Sequence, residues 1–496
     1  MAEFDIAVIG GGINGAGIAR DAAGRGLKVL LVEQGDLASG TSSASTKLIH
    51  GGLRYLEQQA YSLVRASLAE RETLLHIAPH LVHPVRLVLP LLEGGRPAWF
   101  IRLGLLVYDA FAWRGSLPFT RRINLNMDPA GGYLRRRRAA AFEYSDCTVD
   151  DARLVILNAL DAAERGATVR VHTRCVRAER SDEWTLVLNA RGRRTVATAR
   201  VLINTTGPWT AQFGEFVLRA SEKAPVRLVK GSHVVVPKMF DHGRAYLFQN
   251  RDGRVIFAIP FHRDFTLIGT TDTDYDEDLS SLAPTHAEIV YLCDAVNEYF
   301  RQSISPADVV WAFAGVRSLY GDGREKAQEI SRDHVLEIDS GFRRAALVTL
   351  YGGKLTTYRR VAEDAVDKIS SFFTSGPAWT ASTPLPGGDL GKQSFDAFVA
   401  ETKARWPFFT PSHAARLAAA YGSRVGRVLG DARRYEDLGP RFGADLTAAE
   451  VRYLMRHEWA ETPDDVLWRR TKLGLRFSPE QRETLAQFMA GATGTV

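Results

Sequence analysis

The strongest constraint on this chain lies in its first 33 residues. Phe4 to Ile9 is a short apolar run that leads directly into glycines, and Gly10, Gly12 and Gly15 make G-x-G-x-x-G. Residues 13 to 24 are small and apolar, as a packed helix requires, and KVLLV at 28 to 32 reads as a second strand. Glu33 closes that strand, 18 residues after Gly15. Strand, glycine turn, helix, strand and acid in this order predict a dinucleotide-binding βαβ unit. Gly10 permits the tight turn, Gly12 lets a pyrophosphate approach the backbone, and Gly15 allows close helix–strand packing. The helix N-terminus offers N–H groups to the phosphates, and Glu33 offers a carboxylate to a ribose diol. An uninterrupted apolar strand beside a helix fits a parallel sheet buried on both faces. The motif alone does not choose between NAD and FAD.

A chain of 496 residues suits two or three domains. Residues 60 to 80 carry leucines at helical spacing, and 150 to 166 read as a helix that starts at the acidic pair Asp150-Asp151 and stops at Gly166. TVRVHT, WTLVLNA and ARVLINTTG read as strands, and 225 to 270 is strand-rich, which predicts an antiparallel sheet interrupting the dinucleotide unit. ALVTLY at 346 to 351 returns to strand before Gly352-Gly353 and a helix from about Thr356 to Ile369. The stretch 374 to 391, rich in Pro, Gly, Ser and Thr, reads as a boundary, and 394 to 490 reads as helical. The expected organisation is α/β: a Rossmann-like unit from 1–75, 143–215 and 310–375, an antiparallel-sheet substrate or cap unit from 76–142 and 216–309, and a C-terminal helical unit from 390–496.

A net charge of +6 is mild for this length and fits an anionic small substrate, an anionic lipid surface or nucleic acid without choosing among them. The dense basic run Arg135 to Arg138 has no aromatic interleaving and reads as a solvated loop, so no nucleic-acid partner is expected. Cys147, Cys175 and Cys293 form no CxxC pair, which argues against a disulfide framework and a zinc site and fits a reducing cytoplasm. The first residues do not read as a signal peptide, and no run of about 18 uncharged apolar residues could span a bilayer.

Two further segments favour FAD over NAD, because the longer cofactor needs a second binding surface. SGTSSASTKLIHGGLRYLE at 39 to 57 sets hydroxyl residues, His50, a glycine pair and Arg54-Tyr55 beside the first site. YGGKLTTY at 351 to 358 is a strand end, a glycine pair and a helix start, suited to the pyrimidine end of a flavin. INTTGPW at 203 to 209 ends another strand in a hydroxyl–glycine turn. Together with IGGGINGAGIARDAAGRG, EYSDCTVDDARLV, KGSHVVVP, IGTTDTDY and YGGKLTTYR, these strings resemble the FAD-dependent, quinone-linked glycerol-3-phosphate dehydrogenases, relatives of the D-amino-acid-oxidase-like flavoproteins. The likeness is dense to about residue 390 and continues through EWAETPDDVLWRRTKLGL at 458 to 475.

The resemblance implies non-covalent FAD held by Gly10, Gly12, Ile13, Asn14, Gly15, Glu33, Gln34, Thr41, Ser42, Ser45, Thr46, Lys47, Leu48, His50, Val176, Thr206, Gly207, Trp209, Gly315, Lys354, Leu355 and Thr356. It implies Arg54, Tyr55, Arg317, Arg332 and Lys354 around the phosphate of glycerol 3-phosphate, with His50 or His233 as general base and His50 favoured. Guanidinium forks match phosphate oxygens bidentately and a lysine supplies a point charge. Oxidation of C2 would give dihydroxyacetone phosphate, with hydride passed to flavin N5. Where the family is expected to carry proline after the active-site arginine, Ser318 stands here, so the loop 318 to 326 is expected to differ.

PAWFIRLGLLVYDAFAW at 97 to 113 is an almost wholly apolar helix, either buried in a core or pressed into a lipid interface. Trp99 and Trp113 bracket it, and Arg114, Arg121 and Arg122 follow. With the resemblance, this predicts a cytoplasmic protein on the inner face of the membrane that hands electrons to quinone and meets anionic lipid; a homodimer is left open. The rival readings are a soluble oxidase using O₂ and an amine or amino-acid oxidase of the same fold.

Overall fold

The structure is a computed structural model, and it describes residues 2–91, 96–135, 140–219, 226–250, 252–269, 272–321 and 333–493. The predicted βαβ unit is its centre. Phe4–Ile9 lies parallel to Val29–Val32 on one side and to the end of Arg193–Asn204 on the other. Arg344–Tyr351 and Thr168–Arg170 extend the parallel set outward, and Val335–Gly341 adds an antiparallel edge. Ile6, Ala7, Val8, Leu30 and Leu31 are all fully buried, because helices Ile13–Gly24, Asp151–Glu164 and Tyr358–Ile369 cover one face and a hairpin layer covers the other. Each such aliphatic side chain contributes about 1.5–3 kcal/mol. Asp150 caps its helix by accepting from the Arg153 N–H at 3.1 Å, and Gly166, at φ +96°, lies beyond the helix end as expected.

Among the described residues the second sheet has ten strands and is antiparallel except where Val82–Pro90 meets Ala245–Gln249. The four strands expected between 225 and 270 form its centre. Two expected boundaries need correction. Ala140–Val149 and Trp311–Tyr320 belong to this second sheet, not to the Rossmann-like sheet with which 143–215 and 310–375 were grouped. Ala140–Val149 runs into the helix Asp151–Glu164 with no glycine or proline to mark the change of layer.

The stretch 374 to 391, expected to be a boundary, is strapped onto the first unit. Trp379 donates from Nε1 to the Asp21 carbonyl at 3.0 Å and lies under the Arg20 and Arg165 guanidiniums at 4.8 and 3.9 Å. Leu385 is buried in the Rossmann-like core. Beyond it, helices Phe395–Arg405, Pro411–Tyr421, Ala448–His457 and Pro479–Thr493 gather around a separate core, with one small hairpin, Arg441–Gly443 with Leu446–Thr447. The three cysteines are free and buried. Among the described residues, no helix is long and apolar enough to cross a membrane.

Candidate active site

A cavity of about 1160 Å³ runs past the C-terminal ends of the parallel strands and under the second sheet. That is where a doubly wound sheet presents its loops to a ligand, and the volume exceeds the usual range for small-molecule pockets, about 300–1,000 Å³. At its first end Gly10 has φ +114°, and a Cβ there would lie 2.5 Å from the Thr205 carbonyl oxygen. A Cβ on Gly15 would lie 1.9 Å from the Gly10 oxygen, so helix and turn pack as the motif predicts. Glu33 accepts from the Gly11 N–H at 2.6 Å and the Gly35 N–H at 2.8 Å, while burial raises its carboxyl above the usual range.

The hydroxyl segment forms the middle wall. Ser42 Oγ accepts from the Ile13 N–H at 2.9 Å, and Thr41 Oγ1 donates to the Val316 carbonyl at 2.6 Å. Asn14 donates from Nδ2 to the Gly352 carbonyl at 3.4 Å, and its buried Oδ1 has no partner among the described residues. The Gly352-Gly353 turn holds φ values of +69° and +86°, which only glycine adopts freely.

At the far end, Arg317 NH1 donates to Asp272 at 2.5 Å, and Arg54 NH1 stands 3.9 Å from the other oxygen of the same carboxylate. The Lys354 ammonium sits 3.7 Å from the centroid of the Tyr55 ring, a cation–π contact. His233 is buried, stacks on Phe313 with ring centroids 5.0 Å apart, and shares a hydrogen bond of 3.0 Å with Thr46 Oγ1 through Nε2. Its Nδ1 has no partner among the described residues. Burial, with the charges of Lys47 and Arg317, pushes its pKa down to about 3, so the imidazole is neutral. His50 is half-buried on the same wall, its backbone N–H 3.3 Å from Thr356 Oγ1. A third wall is apolar: Phe100, Ile101, Leu103, Gly104 and Val107 of the helix Ala98–Phe111 reach the cavity. Tyr108 ties that helix down by donating to Asp146 at 2.8 Å and accepting from the Gly51 N–H at 2.8 Å.

The model for FAD dependent oxidoreductases matches residues 5–359, and that for the C-terminal domain of alpha-glycerophosphate oxidase matches 378–493. This chain belongs to the FAD-dependent oxidoreductase family. The oxidoreductase is 48% identical to a glycerol-3-phosphate dehydrogenase of Pseudomonas aeruginosa, over 98% of this chain and 95% of that protein. It is 44% identical to the aerobic glycerol-3-phosphate dehydrogenase of Escherichia coli, over 99% of this chain and 98% of that protein. It is also 44% identical to a D-erythritol 1-phosphate dehydrogenase of Brucella abortus, over 98% of each. A glycerol-3-phosphate dehydrogenase from Bacillus halodurans, solved with FAD, superposes with a TM-score of 0.80 at 29% identity, covering 100% of this chain and 92% of that one. The expected fold and FAD dependence are therefore borne out.

FAD also fits the cavity. Gly12 lines it where a Cβ would lie 3.1 Å from Ser42 Oγ, and two buried polar atoms on its walls, Asn14 Oδ1 and His233 Nδ1, lack partners among the described residues. Of the described residues expected to hold cofactor or substrate, all but three line the cavity. Gly15 serves the helix–strand contact instead. Lys47 points into the core, where Asp151 accepts from its ammonium at 2.8 Å. Val176 yields to its neighbours Arg174 and Cys175 on the wall, across a bulge in the strand Thr173–Arg180. Arg332 lies outside the described residues. Ser318 continues the strand Trp311–Tyr320, paired with Leu228, as a residue with an N–H can; 322–326 of the loop expected to differ lie outside the described residues. Sequence reasoning missed Asp272, although it lies within IGTTDTDY.

Proposed function

We propose that this flavoprotein oxidises sn-glycerol 3-phosphate to dihydroxyacetone phosphate and passes the electrons to a membrane quinone. The observation that carries the reading is the group of three cations, Arg54, Arg317 and Lys354, gathered with two histidines at the Gly352-Gly353 end of the cavity. An amino-acid oxidase needs to bind one carboxylate, and a cluster of this charge suits a phosphate dianion better.

Gly10, Gly12, Ile13 and Asn14 would face the pyrophosphate, Glu33 and Gln34 the adenosine ribose, and Thr41, Ser42, Ser45, Thr46 and Leu48 with Thr206, Gly207 and Trp209 the middle of the cofactor. Gly315 and Lys354 to Thr356 would border the ring. When bound, FAD supplies the hydride acceptor, N5. The chain supplies the rest. Arg54, Arg317 and Lys354 hold the phosphate, and Asp272 orients the two arginine forks. His50 takes the C2 hydroxyl proton as the C2 hydride departs, leaving the ketone.

Arg317→Ala should weaken sn-glycerol 3-phosphate by about 10- to 150-fold in kcat/KM, the worth of one charged donor to a buried anion. Use of glycerol, which lacks the phosphate, should be weak and should barely change. Steady-state dye reduction with both substrates checks this; equal losses would assign Arg317 to the fold or the flavin.

The acceptor reading rests on the helix Ala98–Phe111. Its Leu105 and Tyr108 face the core, whereas Trp99, Phe100, Leu103 and Leu106 are 68%, 42%, 54% and 55% exposed. Trp113 and Phe119 continue the patch, with Arg102, Arg114 and Arg122 exposed beside it. An apolar helix face ringed by arginines suits an anionic lipid interface, and the same helix walls the cavity, giving an apolar quinone a route toward the flavin. In flotation assays the protein should rise with anionic vesicles at low salt and reduce a short-chain quinone faster than O₂. Protein left at the bottom of the gradient, reacting faster with O₂, would favour the soluble oxidase.

A further inference from the structure

The run Arg469-Arg470-Thr471-Lys472 belongs to the C-terminal unit, yet three of its side chains pair with acids of the FAD-binding unit. Arg470 is fully buried and donates twice to Asp36, from NH1 at 2.6 Å and NH2 at 2.8 Å. Arg469 donates from Nε to the same carboxylate at 2.5 Å. Asp36 lies in the turn that begins at Glu33. That turn is bonded on its other side to the glycine turn: Glu33 accepts from Gly11 at 2.6 Å, and the Ala38 N–H donates to the Gly11 carbonyl at 3.1 Å. Two residues further on, Lys472 is buried, with a left-handed backbone at φ +57°, and donates to Asp150 at 3.3 Å. The adjoining Asp151 accepts from Ser45 Oγ at 2.7 Å and Lys47 Nζ at 2.8 Å, fixing the segment that walls the middle of the cavity.

We infer that residues 469–472 are a latch through which the C-terminal unit holds both cofactor loops, with Arg470 and Lys472 as positioning residues for FAD retention. Asp36 is 2% exposed, so without Arg470 its carboxylate keeps only Arg469 or must open the turn to water. Either response loosens Glu33 and the glycine turn. Lys472 acts likewise through Asp150 on the start of the helix that carries Asp151. This inference rests on the family's FAD and not on the identity of the substrate.

The test uses holoenzyme carrying Arg470→Met or Lys472→Met, and reads FAD release by the fluorescence of free flavin after dilution. Release should accelerate by roughly ten-fold or more, and excess FAD should restore the wild-type rate of reduction per bound flavin. Arg416→Met is the control, because it breaks an ion pair with Glu450, at 2.7 Å, inside the C-terminal unit alone. Its release rate should stay within about two-fold of wild type. If Arg470→Met does not fold, Asp36→Asn with Arg470→Met leaves no buried carboxylate at position 36, while Glu458 keeps its pair with Arg153, and should still release FAD faster. Wild-type release from the latch variants, or equal acceleration in Arg416→Met, would overturn the latch.

Discussion

His50→Asn should slow flavin reduction by sn-glycerol 3-phosphate by about 10²–10⁴-fold while FAD stays bound. A general base works best when its pKa lies near the working pH, and an ordinary imidazole, at about 6.5, meets that condition. Among the described residues, two imidazoles, His50 and His233, line the cavity. His233 has been moved out of that range: burial and the charges of Lys47 and Arg317 hold it at about 3. It accepts a hydrogen bond readily but holds a proton poorly, and Phe313 and Thr46 fix its ring in place. His50 is half-buried and follows the segment that carries the hydroxyl wall. Stopped-flow reduction under anaerobic conditions separates the two, with bound FAD counted in each variant. Normal reduction in His50→Asn, together with slow reduction in His233→Asn, would transfer the role to His233.

Stability should fall steeply as pH drops from about 6.5 to about 4.5. Burial pushes His80 and His233 down to about 3, and His262 and His413 down to about 4. Each of these folded-state values lies below the unfolded one. The stability each contributes is therefore complete above about pH 6.5 and is lost as the unfolded chain takes up protons that the fold refuses. Asp21 and Asp146 act in the opposite sense, because burial raises both to about 6 and the fold keeps their protons. Near pH 5 these six groups together leave about two more protons on the unfolded chain, a contribution on the order of 3 kcal/mol per pH unit. Thermal unfolding followed by flavin circular dichroism, with FAD in excess at every pH, reads this directly. A midpoint that stays level between about pH 7 and about pH 5 would show that these histidines are charged in the fold.

The Rossmann-like unit was legible because its signals are local. Turn, helix and acid must fall at fixed spacings, and Gly10, Gly15 and Glu33 occupy the positions the motif requires. Layer membership was less legible. Nothing in AAFEYSDCTV says which sheet it joins, since an apolar strand pairs equally well in either. Asp272 escaped notice because its partner is set by register. Val226–Pro237 pairs with Trp311–Tyr320 on one side and Thr273–Asp274 on the other, with Val229 opposite both Arg317 and Asp274, and so Arg317 meets Asp272. Lys47 misled in the reverse direction: it lies in a string that lines the cavity, yet Asp151 draws it into the core. The linker misled through composition, because one tryptophan and one leucine strap down a stretch that reads as loose. For the helix Ala98–Phe111 the pattern allowed core or lipid, and only the packing of Leu105 and Tyr108 shows which face is left outward.

The relative named for D-erythritol 1-phosphate is 44% identical, the same as one glycerol-3-phosphate dehydrogenase and only slightly below another at 48%, so the choice of substrate rests on the site. Both substrates carry a phosphate that the three cations would hold, and they differ in the length of the polyol beyond it. The deciding measurement is anaerobic bleaching of the bound flavin by sn-glycerol 3-phosphate, D-erythritol 1-phosphate, glycerol and a D-amino acid in parallel. Oxidation of sn-glycerol 3-phosphate as the reaction predicts rapid bleaching by that substrate, slower bleaching by the longer phosphate, and almost none by glycerol or the amino acid. Fastest bleaching by D-erythritol 1-phosphate, or bleaching by the amino acid with none by sn-glycerol 3-phosphate, would contradict it.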